Sequence, residues 1–143
     1  MIAPKSQFTY ITENDIRTVL RDNDPQQNIL LDDYEFKSEE IRNAATLAVD
    51  YWNEQPPDIH RYDVYTFPWR YHLIQATCAN LLTSAAHMYR RNELNYNIPG
   101  GGITDQNKSA VYDAAARTMW AEYRDWVARK KLELNTSRGW GSY

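Results

Sequence analysis

Between residues 73 and 89 the chain almost ceases to be polar. Leu73, Ile74, Ala76, Ala79, Leu81, Leu82, Ala85, Ala86 and Met88 leave hardly any hydrophilic face, the pattern of a helix enclosed by other helices. Pro68 suits its first turn, and Arg90 and Arg91 its last, where cations complement the helix dipole. A second periodic segment precedes it. Ile41, Ala44, Ala45, Ala48, Tyr51 and Trp52 recur at helical spacing behind Ser38, a candidate N-cap followed by Glu39 and Glu40, and Pro56 and Pro57 end the run.

Two further helices complete the pattern. "ITENDIRTVL" is a helix start over about Glu13–Arg21. Thr12 is placed to cap the amide of Asp15, and Ile11 and Ile16 occupy the two positions of a hydrophobic staple. "DNDP" stops this helix, because the residue before Pro25 is pushed out of the helical region. A polar loop follows, anchored by Ile29, Leu30 and Leu31. The fourth helix, about Lys108–Leu134, carries Tyr112, Ala115, Met119, Tyr123, Trp126, Val127 and Lys130 near heptad spacing. "DIHRYDVYTF" reads as a loop with strand-like alternation at 62–66, too short and isolated to form a sheet. After Asn135 the tail "TSRGWGSY" has no periodicity and too few apolar residues for an element. The expected fold is all-α, a four-helix bundle-like single domain with long loops. Residues 1–11 form an N-terminal segment, 12–134 the bundle, and 135–143 an extended C-terminal tail.

Composition narrows the function classes. A chain of 143 residues suits one domain with its own core. Sixteen Lys and Arg against nineteen Asp and Glu give a net charge of -3, without the basic surplus of a dedicated nucleic-acid binder. Cys78 is the only cysteine and its apolar neighbours make it a buried, inert thiol. "MIAPKSQFTY" has neither the charged start nor the apolar run of a signal peptide, and no apolar stretch of about 18 residues occurs. Neither export nor membrane spanning is expected. Five Trp and eleven Tyr pair large apolar bodies with polar handles, which suits interfaces as well as cores.

The candidate chemistry is weak motif by motif. "GGGITDQNKS", residues 100–109, is one substitution from the G-x-x-x-x-G-K-[ST] phosphate loop, with Asn107 in place of the second glycine. A working phosphate loop follows a hydrophobic strand, whereas the polar, proline-broken "NELNYNIP" precedes this one. The glycines Gly100, Gly101 and Gly102 read instead as a hinge, with Asp105 or Asn107 as the next helix cap. His60, His72 and His87 lack the i,i+3 or i,i+4 spacing of helix-borne metal ligands. Asp32 with Asp33, and Glu39 with Glu40, are adjacent carboxylates that diverge. "YRRNE" and "ARKK" are basic clusters at helix C-termini, where cations complement the dipole. No catalytic residue, metal or cofactor is assigned, and an enzyme is not expected. Only the tail concentrates interaction chemistry: Arg138, Trp140 and Tyr143 are hot-spot residue types, and Gly139 and Gly141 let a backbone lie close to a partner.

Three features together carry a family resemblance: the capped segment "SEEIRNAATLAVDYWNEQPP", the apolar "LIQATCANLLTSAAHMYRR", and a glycine loop before a final amphipathic helix with an aromatic tail. Over roughly residues 12–143 the chain resembles the head completion proteins of tailed bacteriophages, also called head-tail connectors or adaptors. The resemblance implies a virion structural subunit repeated as a homo-oligomeric ring of about twelve below the portal protein. Such a ring is joined beneath to a neck or tail protein, and genome DNA passes through its bore without sequence-specific binding. A mildly acidic subunit suits that passage, since many phosphate contacts would clamp the duplex. It also implies assembly at the head-tail interface of the virion after synthesis in the host cytoplasm. Composition and position, rather than a family motif, assign Arg138, Gly139, Trp140, Gly141 and Tyr143 as portal-binding residues. Two rivals stand beside this reading: another phage neck or tail-completion subunit, which calls for more strand pattern, and a small helical DNA-binding regulator, which calls for salt-dependent DNA affinity.

Overall fold

A computed structural model describes residues 11–20, 36–95 and 103–141; the side chains of 92–95, 103–108 and 137–141 are not described. Among the described residues there are four helices: α1 (Glu13–Leu20), α2 (Ser38–Glu54), α3 (Arg70–Asn95) and α4 (Ile103–Gly141). The all-α expectation holds. Helix α3 is the central element, touching α1, α2 and α4, with its longest contact along α4. Leu73, Ala76, Thr77, Cys78, Ala79, Leu81, Leu82, Ala85, Ala86 and Tyr89 are its buried positions, so small alanines alternate with larger side chains and let three helices approach it. Met88, expected inside, is exposed.

The helix starts follow local chemistry, with some corrections. Thr12 Oγ1 accepts from the Asp15 amide at 3.2 Å while Asp15 Oδ2 accepts from the Thr12 amide at 2.9 Å, a reciprocal cap. The staple residues Ile11 and Ile16 are both fully buried. At α2 the cap lies one residue earlier than expected. Lys37 is the N-cap, its amide donating to Glu40 Oε1 at 3.2 Å. Ser38 is already helical and donates its hydroxyl to Glu13 Oε2 at 2.8 Å, which ties α2 to α1. Pro68 lies outside α3: the Leu73 amide donates to Trp69 O at 3.0 Å, so Trp69 caps that helix.

Between α2 and α3 the segment with strand-like alternation is a turn. Asp63 Oδ1 accepts from the amides of Tyr65 (2.8 Å) and Thr66 (2.9 Å), closing 63–66 on itself. Asn53 clamps the same loop to α2, its amide giving 2.7 Å to Tyr62 O and its carbonyl taking 2.9 Å from Tyr62 N. His60 is left-handed, with φ 51°, and its carbonyl is held by the Trp52 indole N–H at 2.8 Å.

Helix α4 departs most from expectation. It begins at Ile103, so Asp105 and Asn107 are inside the helix rather than capping it, and it runs to Gly141. The backbone of 135–141 is therefore helical, not extended. Two glycines weaken a helix by about 1 kcal/mol each, but the stretch holds no proline to break the ladder. The seam also steps differently from a strict heptad. Ser109, Ala116, Tyr123, Val127 and Lys131 are buried, so the last steps are four residues and Lys131, not Lys130, turns inward.

Candidate functional site

The densest chemistry of the molecule lies where α2, the 55–69 loop, the start of α3 and α4 converge. Trp52 is the centre, with ring centroids 4.8 Å from Trp69, 5.6 Å from Trp126 and 5.8 Å from Phe67. Tyr62 joins Phe67 and Trp69 in near-perpendicular contacts, and Tyr123 bridges toward Tyr51 and Trp120. Edge-to-face and tilted arrangements place positive ring edges against negative faces. Tyr123 is fully buried, and its hydroxyl donates to Ala48 O at 2.7 Å, joining α4 to α2. Burial, helped by Tyr51, pushes that phenol far above its ordinary range, so it stays a hydrogen-bond donor.

Lys131 sits under this cluster with 0% of its surface exposed. Its ammonium donates to Gln55 O at 2.5 Å and Pro57 O at 3.1 Å, and lies 5.0 Å from the Trp52 ring centroid. The carbonyls left over where α2 ends thus find a donor reaching from α4. Burial lowers the Lys131 pKa; Asp58 opposes the shift and Arg61 adds to it. Lys130, next in sequence, lies 5.6 Å from the Trp69 ring and pairs with Glu133 at 3.3 Å. "ARKK" is therefore not one solvated basic stripe.

The structure disperses the other sequence candidates. His72 stacks on Trp126 at 3.9 Å and 12°, His60 on Tyr62 at 6.4 Å, and His87 lies farther along α3 beside Met88 and Arg91. Burial lowers the His72 pKa, and Arg129 and Lys130 lower it further. Its buried Nδ1 has no hydrogen-bond partner among the described residues. No group of three or more His, Cys, Asp or Glu is gathered to hold a metal among the described residues. Cys78 is buried and its thiol is pushed up to about 12, which leaves it a core residue and not a nucleophile. Asp32 and Asp33 lie outside the described residues; Glu39 and Glu40 stand in the first turn of α2. Arg90 faces Asp113 at 3.9 Å, with Arg117 on the same carboxylate at 3.1 Å.

The near-phosphate loop resolves in the same way. Gly100, Gly101 and Gly102, the expected hinge, lie outside the described residues. Asn107, Lys108 and Ser109 are in the second turn of α4, where backbone amides serve the helix instead of a phosphate. Ser109 is buried and donates to Ala86 O at 3.2 Å, a helix-to-helix contact. Of the expected portal contacts, Arg138, Gly139, Trp140 and Gly141 lie on the helical backbone at the end of α4, and Tyr143 lies outside the described residues.

Sequence reasoning missed one feature altogether. A cavity of about 300 Å³ opens beside α2, lined by Ile41, Ala45 and Val49, by Val64 and Tyr65 of the Asp63 turn, and by Ile11. Arg42, Asp50 and Asp63 add charge to its lining. The alternation of 62–66 was its trace in the sequence, because Tyr62 and Val64 turn inward from the loop. No protein-family model, curated protein or solved structure matches this chain.

Proposed function

We propose that the chain is a structural subunit of a phage head-tail connector, a ring of about twelve copies seated below the portal and above a neck or tail protein, with genome DNA passing through the bore. The observation that carries the reading is the shape of α4. At 39 residues it is about 58 Å long, against about 39 Å for the 26 residues of α3. Among its described side chains the last fully buried one is Lys131, Leu134 still packs partly against the core, and Asn135 and Thr136 are exposed. The backbone nevertheless stays helical to Gly141. This C-terminal arm of helix, past the exposed Asn135 and Thr136, carries Arg138 and Trp140, which are hot-spot residue types.

The rest of the molecule suits a rigid adaptor. The Trp52 cluster and the Lys131 anchor hold α2, the loop and α4 as one body, so force on the arm passes into the bundle. Deletion of residues 136–143 tests the reading. The truncated chain loses the helical residues 136–141 but keeps its melting behaviour, and it no longer attaches to portal-bearing heads; attachment at the full-length level contradicts the proposal.

A further inference from the structure

Charge divides unevenly along this chain. Residues 1–69 carry six Lys and Arg against thirteen Asp and Glu, a net of -7, whereas residues 70–143 carry ten against six, a net of +4. Among the described residues the acidic part supplies α1, α2 and the 55–69 loop, and the basic part supplies α3 and α4. The cavity belongs to the acidic side: among the described residues its lining holds Asp50 and Asp63 against one cation, Arg42. At about 300 Å³ it is at the small end of ligand-pocket sizes. That size suits one or two inserted side chains better than a cofactor. Tyr65 at its edge is 50% exposed.

The basic side presents a matching protrusion. On α4, Arg124, Ala128 and Leu132 recur every four residues along one exposed stripe, with Arg129 beside them. Leu132 is 65% exposed, the most exposed large apolar side chain among the described residues of α4. Leu132, one turn beyond Arg129, sets an apolar tip beside a cation, the shape and charge counterpart of an apolar cavity edged by aspartates.

We infer that the α2 cavity of one copy receives Leu132 of a second copy of this chain, with Arg124 and Arg129 of the incoming α4 set against Asp50 and Asp63. The two surfaces differ, so the contact is heterologous and propagates head to tail; it closes into a ring when the rotation between copies allows. Opposite charges fix the orientation and suppress pairing of like faces. This deepens the ring reading and rests on it for closure, but the contact itself is independent of any portal.

Sedimentation velocity on the full chain tests it, using Asp50→Arg as the cavity-face variant and Arg124→Glu/Arg129→Glu as the helix-face variant, with circular dichroism melts to establish that both fold. Wild type associates with increasing concentration, and salt weakens the association. Each variant alone loses association by about tenfold or more. An equimolar mixture regains it, because every face again meets its opposite charge. Leu132→Asp weakens association without a charge partner to rescue it. Wild type that sediments as a monomer at every concentration, or folded variants that associate as wild type does, overturns the inference. Rings on portal that form equally well from the variants overturn this interface while leaving the connector reading intact. Charge-dependent self-association by a chain that ignores portal supports the interface and removes the connector.

Discussion

Replacing Lys131 with methionine keeps the length of the side chain and removes its charge. Two hydrogen bonds disappear, at 2.5 Å to Gln55 O and 3.1 Å to Pro57 O, along with the cation's place 5.0 Å from the Trp52 ring. Hydrogen bonds from a charged donor contribute about 1.5–3 kcal/mol each, and a desolvated cation–π contact about 2 kcal/mol. Against these stands the cost of taking an ammonium out of water, several kcal/mol, which methionine never incurs. Lys131→Met also strands two carbonyls where α2 ends. The balance is a loss of about 2–4 kcal/mol, or roughly 6–12 °C in melting temperature for a chain of this size.

Thermal and urea unfolding followed by far-ultraviolet circular dichroism and tryptophan fluorescence measures that loss. The pH dependence supplies a second readout. Because burial lowers the Lys131 pKa in the fold, the folded state binds fewer protons than the unfolded one as pH rises toward the ordinary lysine value. The wild type therefore gains stability over that alkaline window and Lys131→Met does not, so the deficit of the variant grows with pH. A variant as stable as wild type, with no pH-dependent difference, refutes the assignment of Lys131 as an anchor.

Two smaller perturbations probe other joints of the bundle. Tyr123→Phe removes the 2.7 Å bond to Ala48 O while keeping the ring in place; it costs about 1 kcal/mol, seen as a melting shift of about 2–4 °C. Burial alone would raise the Asp15 carboxyl, but the Thr12 amide and Arg70, 2.8 Å away, outweigh it and hold the group below its ordinary value. The stability this provides is complete above the unfolded carboxylate value, near 3.9, and is lost as pH falls through the lower folded value. Asp15→Asn is consequently less stable than wild type at neutral pH, and the difference narrows below about pH 4 when melts are compared across the acid range.

The sequence made the helices legible where periodicity and capping agreed. α1 carries its own cap and staple in "ITENDI", and the apolar run after Leu73 leaves α3 no alternative to the centre. Ends were harder to read. Ser38 has the chemistry of a cap, but Glu13 of another helix takes its hydroxyl, a contact 25 residues away that no local rule contains. The glycines at 139 and 141 argued for an extended tail, yet helix continues through them because no proline intervenes. In the α4 seam, adjacent lysines differ only in which side of the helix they reach, and a heptad register chose the wrong one. The cavity beside α2 left only the alternation of 62–66 as a trace, since Ile11, Val49 and Val64 meet only in three dimensions.

The connector reading is tested most directly by mass photometry of the purified chain, alone and mixed with a tailed-phage portal protein. The account predicts a portal-dependent species whose added mass corresponds to about twelve copies of the 16.8 kDa chain. A chain that never joins portal, and instead binds duplex DNA with an affinity that falls steeply with salt, contradicts it and points to the helical regulator.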